Sequence, residues 1–313
     1  MRRGLWCALL VVTCLAVASA QVVRPGSQVL VPDGKGGAVP GIQIQSGGVS
    51  NGAVHQGNGI NYHGGPIMPN TVNVYLIFYG KWQNGAHQSD SKASKKLIKT
   101  FVTGISGSPF EMINSTYGDN SNDVTGLVNL AASVSMAYPF TNNLGSNGAR
   151  SAVTKAITSG KVPADSNAVY FLLTSSDVSE GGFCSSYCGY HSHSSIAGQD
   201  IKWSFIGNPD RCQSACEAQT KSPNNNSGAD GLVNILSHEL EEAISDPDLN
   251  AWFMSNGNEN ADACAWRFGT LLGGSIGNGG YNEQFGGKNW LLQMNWENAR
   301  GGGCDNFLGG PFH

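Results

Sequence analysis

The chain has 313 residues, of which 43 are Gly and only 13% are charged, and its formal net charge is −4. No basic stripe is present, so nucleic acid is excluded as a partner. No apolar run beyond the first twenty residues is long enough to span a bilayer, and the composition fits a loop-rich extracellular protein whose solubility rests on neutral polar groups.

Residues 1–20 read as a cleavable signal peptide. Arg2 and Arg3 give a basic start, residues 5–17 an apolar run broken only by Thr13, and Ala18-Ser19-Ala20 a small-residue cleavage site. The mature chain is expected to begin near Gln21, outside the cytosol and with no membrane attachment. Residues 21–60 are rich in Gly, Ser, Pro and Val without period, as in a flexible arm or propeptide-like leader. Residues 61–313 are expected to form one mixed α/β domain. A β-branched and aromatic run predicts a buried strand over 71–79. A helix follows over 91–102, with Ser89 or Asp90 available to cap it. A second helix is predicted over 148–159, buried strands over 168–174 and 201–206, and the strongest helix over 231–245. Asp246-Pro247-Asp248 reads as its stop. Beyond it the chain is Gly- and Asn-rich, with scattered Trp and Phe, and is expected to be irregular and stapled by cysteine. Trp252, Trp266, Trp290 and Trp296 could stack on sugars, but core filling is the preferred reading.

The last helix carries the chemistry. Leu232, Val233, Leu236, Leu240 and Ile244 give it an apolar stripe. His238 and Glu242 are four apart and emerge on one face. With Glu239 they form H-E-x-x-E, which differs from the zincin H-E-x-x-H in its last position. Zinc accepts a carboxylate oxygen as well as an imidazole nitrogen, and a catalytic zinc wants three protein ligands and an open position. Glu239 would be the general base. The third ligand must come from elsewhere: Asp262 is the first choice, Glu259 the second, and His191 or His193 of an H-x-H segment the remaining candidates. The cofactor expected is a divalent metal, zinc first, in a zincin-like domain. Glu241 leaves the helix about 100° from its neighbours and is expected to be indifferent to the site.

Cys7 and Cys14 fall within the signal, which leaves Cys184, Cys188, Cys212, Cys216, Cys264 and Cys304. An even number in an oxidising compartment favours disulfides over a zinc site. Sequence alone does not fix the connectivity; the expected pairs are Cys184–Cys188, Cys212–Cys216 and Cys264–Cys304. Asn114-Ser115-Thr116 and Asn225-Asn226-Ser227 are glycosylation sequons expected at the surface. Nothing supports a serine or cysteine nucleophile or a phosphate-cradling loop: there is no G-x-S-x-G, and no Gly-rich loop follows a strand with a Lys in place.

Several separated motifs then point to a family. Tyr62-His-Gly-Gly-Pro-Ile-Met68, Val74-Tyr-Leu-Ile-Phe-Tyr-Gly-Lys-Trp82, Thr174-Ser-Ser-Asp-Val178 with Gly182-Phe-Cys184, Cys188-Gly-Tyr-His191, and Ser237-His-Glu-Leu-Glu-Glu-Ala243 with Asn250-Ala-Trp252 resemble, in order, the Exordium or phosphate-induced family of secreted proteins. The resemblance implies an extracellular or cell-wall (apoplast-like) location and a link to growth and cell expansion, but no known reaction. The segment from Glu259 to Cys264 resembles the acidic, cysteine-containing stretch that follows the H-E-L-x-E helix in such proteins, which favours Asp262 as the ligand. The arm before Tyr62 and the Gly-rich tail after Leu271 depart from the family pattern, and nothing is carried over there. Two functions follow: a metallopeptidase-like hydrolase acting on peptides, or a non-enzymatic extracellular protein that binds wall polysaccharide or a receptor.

Overall fold

The middle strands of the central sheet are almost continuously apolar, as strands covered on both faces require. The computed structural model describes residues 20–23, 57–83, 87–138, 140–145 and 147–313. The short strands β1 (Ala20–Val23) and β2 (Asn61–Tyr62) come first, followed by β3 (Val72–Tyr79) and helix α1 (Lys92–Ile105). Next are β4 (Val128–Met136), α2 (Gly148–Thr158), β5 (Ala168–Thr174), β6 (Tyr187–Ile196), β7 (Gln199–Ile206), α3 (Gln213–Cys216) and α4 (Ser227–Ser245). After α4 come β8 (Trp252–Phe253) and three small two-stranded sheets between Gly273 and Asp305. The fold is thus mixed α/β with a loop-rich, disulfide-bonded C-terminal part. Residues 1–19 of the expected signal peptide and most of the arm expected over 21–60 lie outside the described residues. Among the described residues, no helix is long and apolar enough to cross a membrane.

The large sheet runs β4-β3-β5-β7-β6-β1. β4, β3, β5 and β7 are parallel; β6 pairs antiparallel with β7, and β1 antiparallel with β6. All seven residues of β5 are buried. α1 and α4 pack on each other, and α4 also packs on β5, β6 and β7. The helices predicted over 91–102 and 148–159 and the strands over 71–79, 168–174 and 201–206 are all present, with ends shifted by a few residues. β4 and β6 were not foreseen. β4 is an edge strand with alternating exposure, and β6 is rich in Gly, Ser and His.

Three local expectations are corrected. α1 is capped by Ser91, whose hydroxyl accepts from the Ser94 N–H at 3.2 Å. Ser89 and Asp90 instead bond to Asn208 and Ser176 beyond the ends of β7 and β5. The disulfides are Cys184–Cys212, Cys188–Cys216 and Cys264–Cys304. Only the last matches the expected pairing. Cys184 lies in the turn before β6 and Cys212 caps α3, so each C-x-x-x-C segment has one cysteine inside its element and one just before it, and the two segments are bridged side by side. Finally, Asn114 is fully buried and its amide donates to the Glu241 carbonyl at 3.2 Å, so it is no surface acceptor, whereas Asn225 is exposed. Trp252, Trp290 and Trp296 are buried and fill the core.

Two of the separated sequence motifs meet in space. β2 pairs with β8, and the Gly65 N–H donates to the Asn250 carbonyl at 3.0 Å. A Cβ on Gly65 would lie 1.8 Å from Asn250 Oδ1, so only glycine fits. The Met68 N–H donates to the Ile244 carbonyl at 2.9 Å and so satisfies one open carbonyl at the end of α4.

Candidate metal centre

α4 begins where Asn226 accepts a hydrogen bond from the Ala229 N–H. Every residue from Gly228 to Ser245 is buried, so this helix is covered on all sides rather than along one stripe. Its length is therefore held by tertiary packing more than by propensity. Asp246 ends it, and its carboxylate accepts from the Asn250 and Ala251 N–H groups, both at 2.6 Å. The chain then returns over the helix through a short turn at Asp262–Cys264, tied down by Cys264–Cys304. Asn260 anchors this return, donating to the Glu241 carbonyl at 3.1 Å and to Asn114 Oδ1 at 3.0 Å.

The return brings the loop acids onto the helix. His238 Nε2 lies 3.0 Å from Glu242 Oε1 and 3.4 Å from Asp262 Oδ1. The Asp262 N–H donates to the same Glu242 oxygen at 3.0 Å. From β6, His191 Nε2 meets both oxygens of Glu259 at 3.1 and 3.2 Å and lies 3.9 Å from Glu242 Oε2. Asp262 is the one partly open member, with a side chain 16% exposed. Five of the six candidate ligands are therefore assembled, as two overlapping triads: His238, Glu242 and Asp262, and His191, Glu242 and Glu259.

The electrostatics follow from burial. Burial lowers the His191 imidazole to about 4. For His238 burial also disfavours the charge, but Glu242, Asp262 and Glu239 more than offset it, and the pKa rises. Glu239, Glu242 and Glu259 are all raised, by burial first and then by neighbouring carboxylates.

The donor set fits a divalent cation. Both oxygens of Glu239, Glu242 Oε2 and His238 Nε2 are buried without a hydrogen-bond partner. His238 Nε2 and Glu242 Oε1 are close but not aligned for a hydrogen bond, as expected of two donors aimed at a common third point. Imidazole and carboxylate together suit zinc and its first-row neighbours.

His193 does not join. It lies 3.0 Å from Asp200 and 3.6 Å from Asp248, where Lys202 already supplies a cation at 2.7 Å from Asp200. Glu241 belongs to neither triad. It is fully buried, bonded to Asn295 and paired with Glu111. Sequence reading gave no role to Glu111, which carries no local motif, or to Gly189, which lies within the Cys188–His191 motif and lets β6 approach the helix.

An α/β protein with a buried histidine–carboxylate cluster on its central helix is thus the class that fold and site define. The family profile described as "Phosphate-induced protein 1 conserved region" matches residues 60–300, and the chain belongs to this family. It is 29% identical to "Protein EXORDIUM-like 3" of Arabidopsis thaliana over 280 residues, covering 77% of this chain and 81% of that one. It is 28% identical to "Protein EXORDIUM-like 5" of the same plant, covering 76% and 75% of the two chains. It is 24% identical to "Protein PHOSPHATE-INDUCED 1" of Nicotiana tabacum, covering 66% and 71%. No solved structure matches.

Proposed function

We propose that this chain is a secreted Exordium-like protein of the cell wall or apoplast-like space, linked to growth and cell expansion, with a metallopeptidase-type centre. His238, Glu242 and Asp262 hold a divalent cation, zinc first, and Glu239 is the general base. The carrying observation is the convergence of one atom from each of the three ligands to within 4.8 Å of one another. Three disulfides agree with folding in an oxidising compartment. A bound divalent ion supplies Lewis-acid polarisation of a peptide carbonyl and acidifies water. Glu239, buried beside the ligands with both oxygens unpartnered, is placed to take a proton from water at the site. Metal analysis of protein purified from culture medium tests the reading. His238→Ala should empty the site, whereas Glu239→Gln should retain metal and slow peptide hydrolysis by ~10²–10⁴-fold. Wild-type protein that carries and binds no metal would end this account.

A second reading, a non-enzymatic binder of wall polysaccharide or a receptor, is favoured by one observation. Glu239 is fully buried, and Asp262 is the one partly exposed member of the cluster. Metal-loaded wild-type protein with no hydrolytic activity on a peptide library would favour it.

A further inference from the structure

We propose that the cluster is a two-metal centre, in which Glu242 bridges one divalent cation held by His238 and Asp262 and a second held by His191 and Glu259. The inference rests on the reading that this cluster binds metal, and goes beyond it in number and in ligand assignment. Ligand atoms that share one zinc-sized ion sit about 2.0–2.2 Å from it, so no two of them are more than about 4.4 Å apart. Here the donors within reach of one another form two triads, not a set of five, and Glu242 is the member common to both. Its two oxygens are divided between them. Oε1 is 3.0 Å from His238 Nε2, and Oε2 faces His191 Nε2 at 3.9 Å. Oε1 also accepts the Asp262 N–H, which fixes the carboxylate plane, while Oε2 is buried and has no hydrogen-bond partner. A carboxylate held so that each oxygen serves a different imidazole is the arrangement that spans two ions about 3.5–4 Å apart.

Charge argues the same way. Glu239, Glu242, Glu259 and Asp262 bring four carboxylates together, and among the described residues no Lys or Arg forms an ion pair with any of them. Two divalent ions balance four carboxylates. With one ion, two of the four acids must keep a proton, because the interior penalises every unpaired charge. The third cluster, around His193, shows the contrast, because Lys202 stands between its two acids and supplies the counter-charge.

The test uses the secreted protein with its disulfides intact. It is stripped with chelator, titrated with Mn²⁺ and followed by elemental analysis and electron paramagnetic resonance. Two equivalents per chain with an exchange-coupled spectrum are expected. His191→Ala and Asp262→Asn should each retain one uncoupled equivalent, and circular dichroism checks that both variants fold. A single equivalent in the wild type, or loss of all metal in folded His191→Ala, overturns the two-metal centre and leaves a one-metal site standing. No binding at all overturns both readings.

Discussion

Glu111 and Glu241 face each other in the protein interior as a pair of buried acids, with Glu241 one residue before the bridging Glu242. Both are fully buried, and Asn295 donates to Glu241. Burial pushes Glu111 up to about 8, and Glu241 is raised by burial and by Glu111 itself. Two carboxyl groups this close are favourable when they share a proton and unfavourable when both are charged.

The pair should therefore make stability depend on pH. A folded pKa above the unfolded one means that the folded state holds the proton more tightly. The contribution is fully present below the unfolded value of 4.5 and is lost as pH rises through about 8. Glu111→Gln keeps a donor for Glu241 and removes the second charge. Denaturant titrations should show a flatter pH dependence from 4.5 to 8 and a gain at pH 8 on the order of 1–3 kcal/mol, the scale of relieving one unsatisfied buried group. An unchanged slope would mean that the pair does not share a proton.

The crossed disulfides make a mapping experiment decisive. Lys202 and Arg211 lie between the two C-x-x-x-C segments. With Cys184–Cys212 and Cys188–Cys216 closed, trypsin cleavage at both sites should leave the two cysteine peptides joined until reduction. Local pairing within each segment would release them separately. Replacing Cys188 and Cys216 together by Ser should cost about 2–5 kcal/mol, the usual range for a native bridge in a secreted domain.

The limits of the sequence are instructive at particular residues. β3 and β5 were legible because strands buried on both faces read as unbroken apolar runs. β6 reads Tyr-Cys-Gly-Tyr-His-Ser-His-Ser-Ser-Ile and gives no such signal, since its strand character comes from pairing with β7. His238 and Glu242 were legible as ligands because helix geometry alone puts i and i+4 together. The division of Asp262 and Glu259 between two histidines was not. It depends on how the loop returns under Asn260 and Cys264, which no local period encodes. The burial of Glu241 was not legible for a related reason. A helical wheel tells which residues share a face, but not whether the opposite face is also covered.

Gly189 offers the sharpest test of how fold and site are coupled. It lies on β6, two residues before His191, where α4 crosses the sheet. A Cβ built there would sit 2.6 Å from Ile235 Cγ2, 2.9 Å from the Phe205 carbonyl oxygen and 3.1 Å from Glu239 Oε1. Gly→Ala in a compatible backbone usually stabilises by about 0.4–1 kcal/mol through the unfolded chain. Gly189→Ala should instead destabilise by about 1–3 kcal/mol, because the contact at 2.6 Å forces helix and strand apart. That separation moves His191 away from Glu242, which are only 3.9 Å apart at the start. Metal affinity should fall along with stability, although no ligand has changed. Ile235→Leu removes the clashing Cγ2 branch at nearly constant volume, so the double variant should recover part of both losses. Measuring stability by denaturant and affinity by metal titration on the same samples separates the outcomes. A Gly189→Ala protein that is as stable as wild type and binds metal as tightly would show that the close approach of β6 to α4 does not set the spacing of the two triads.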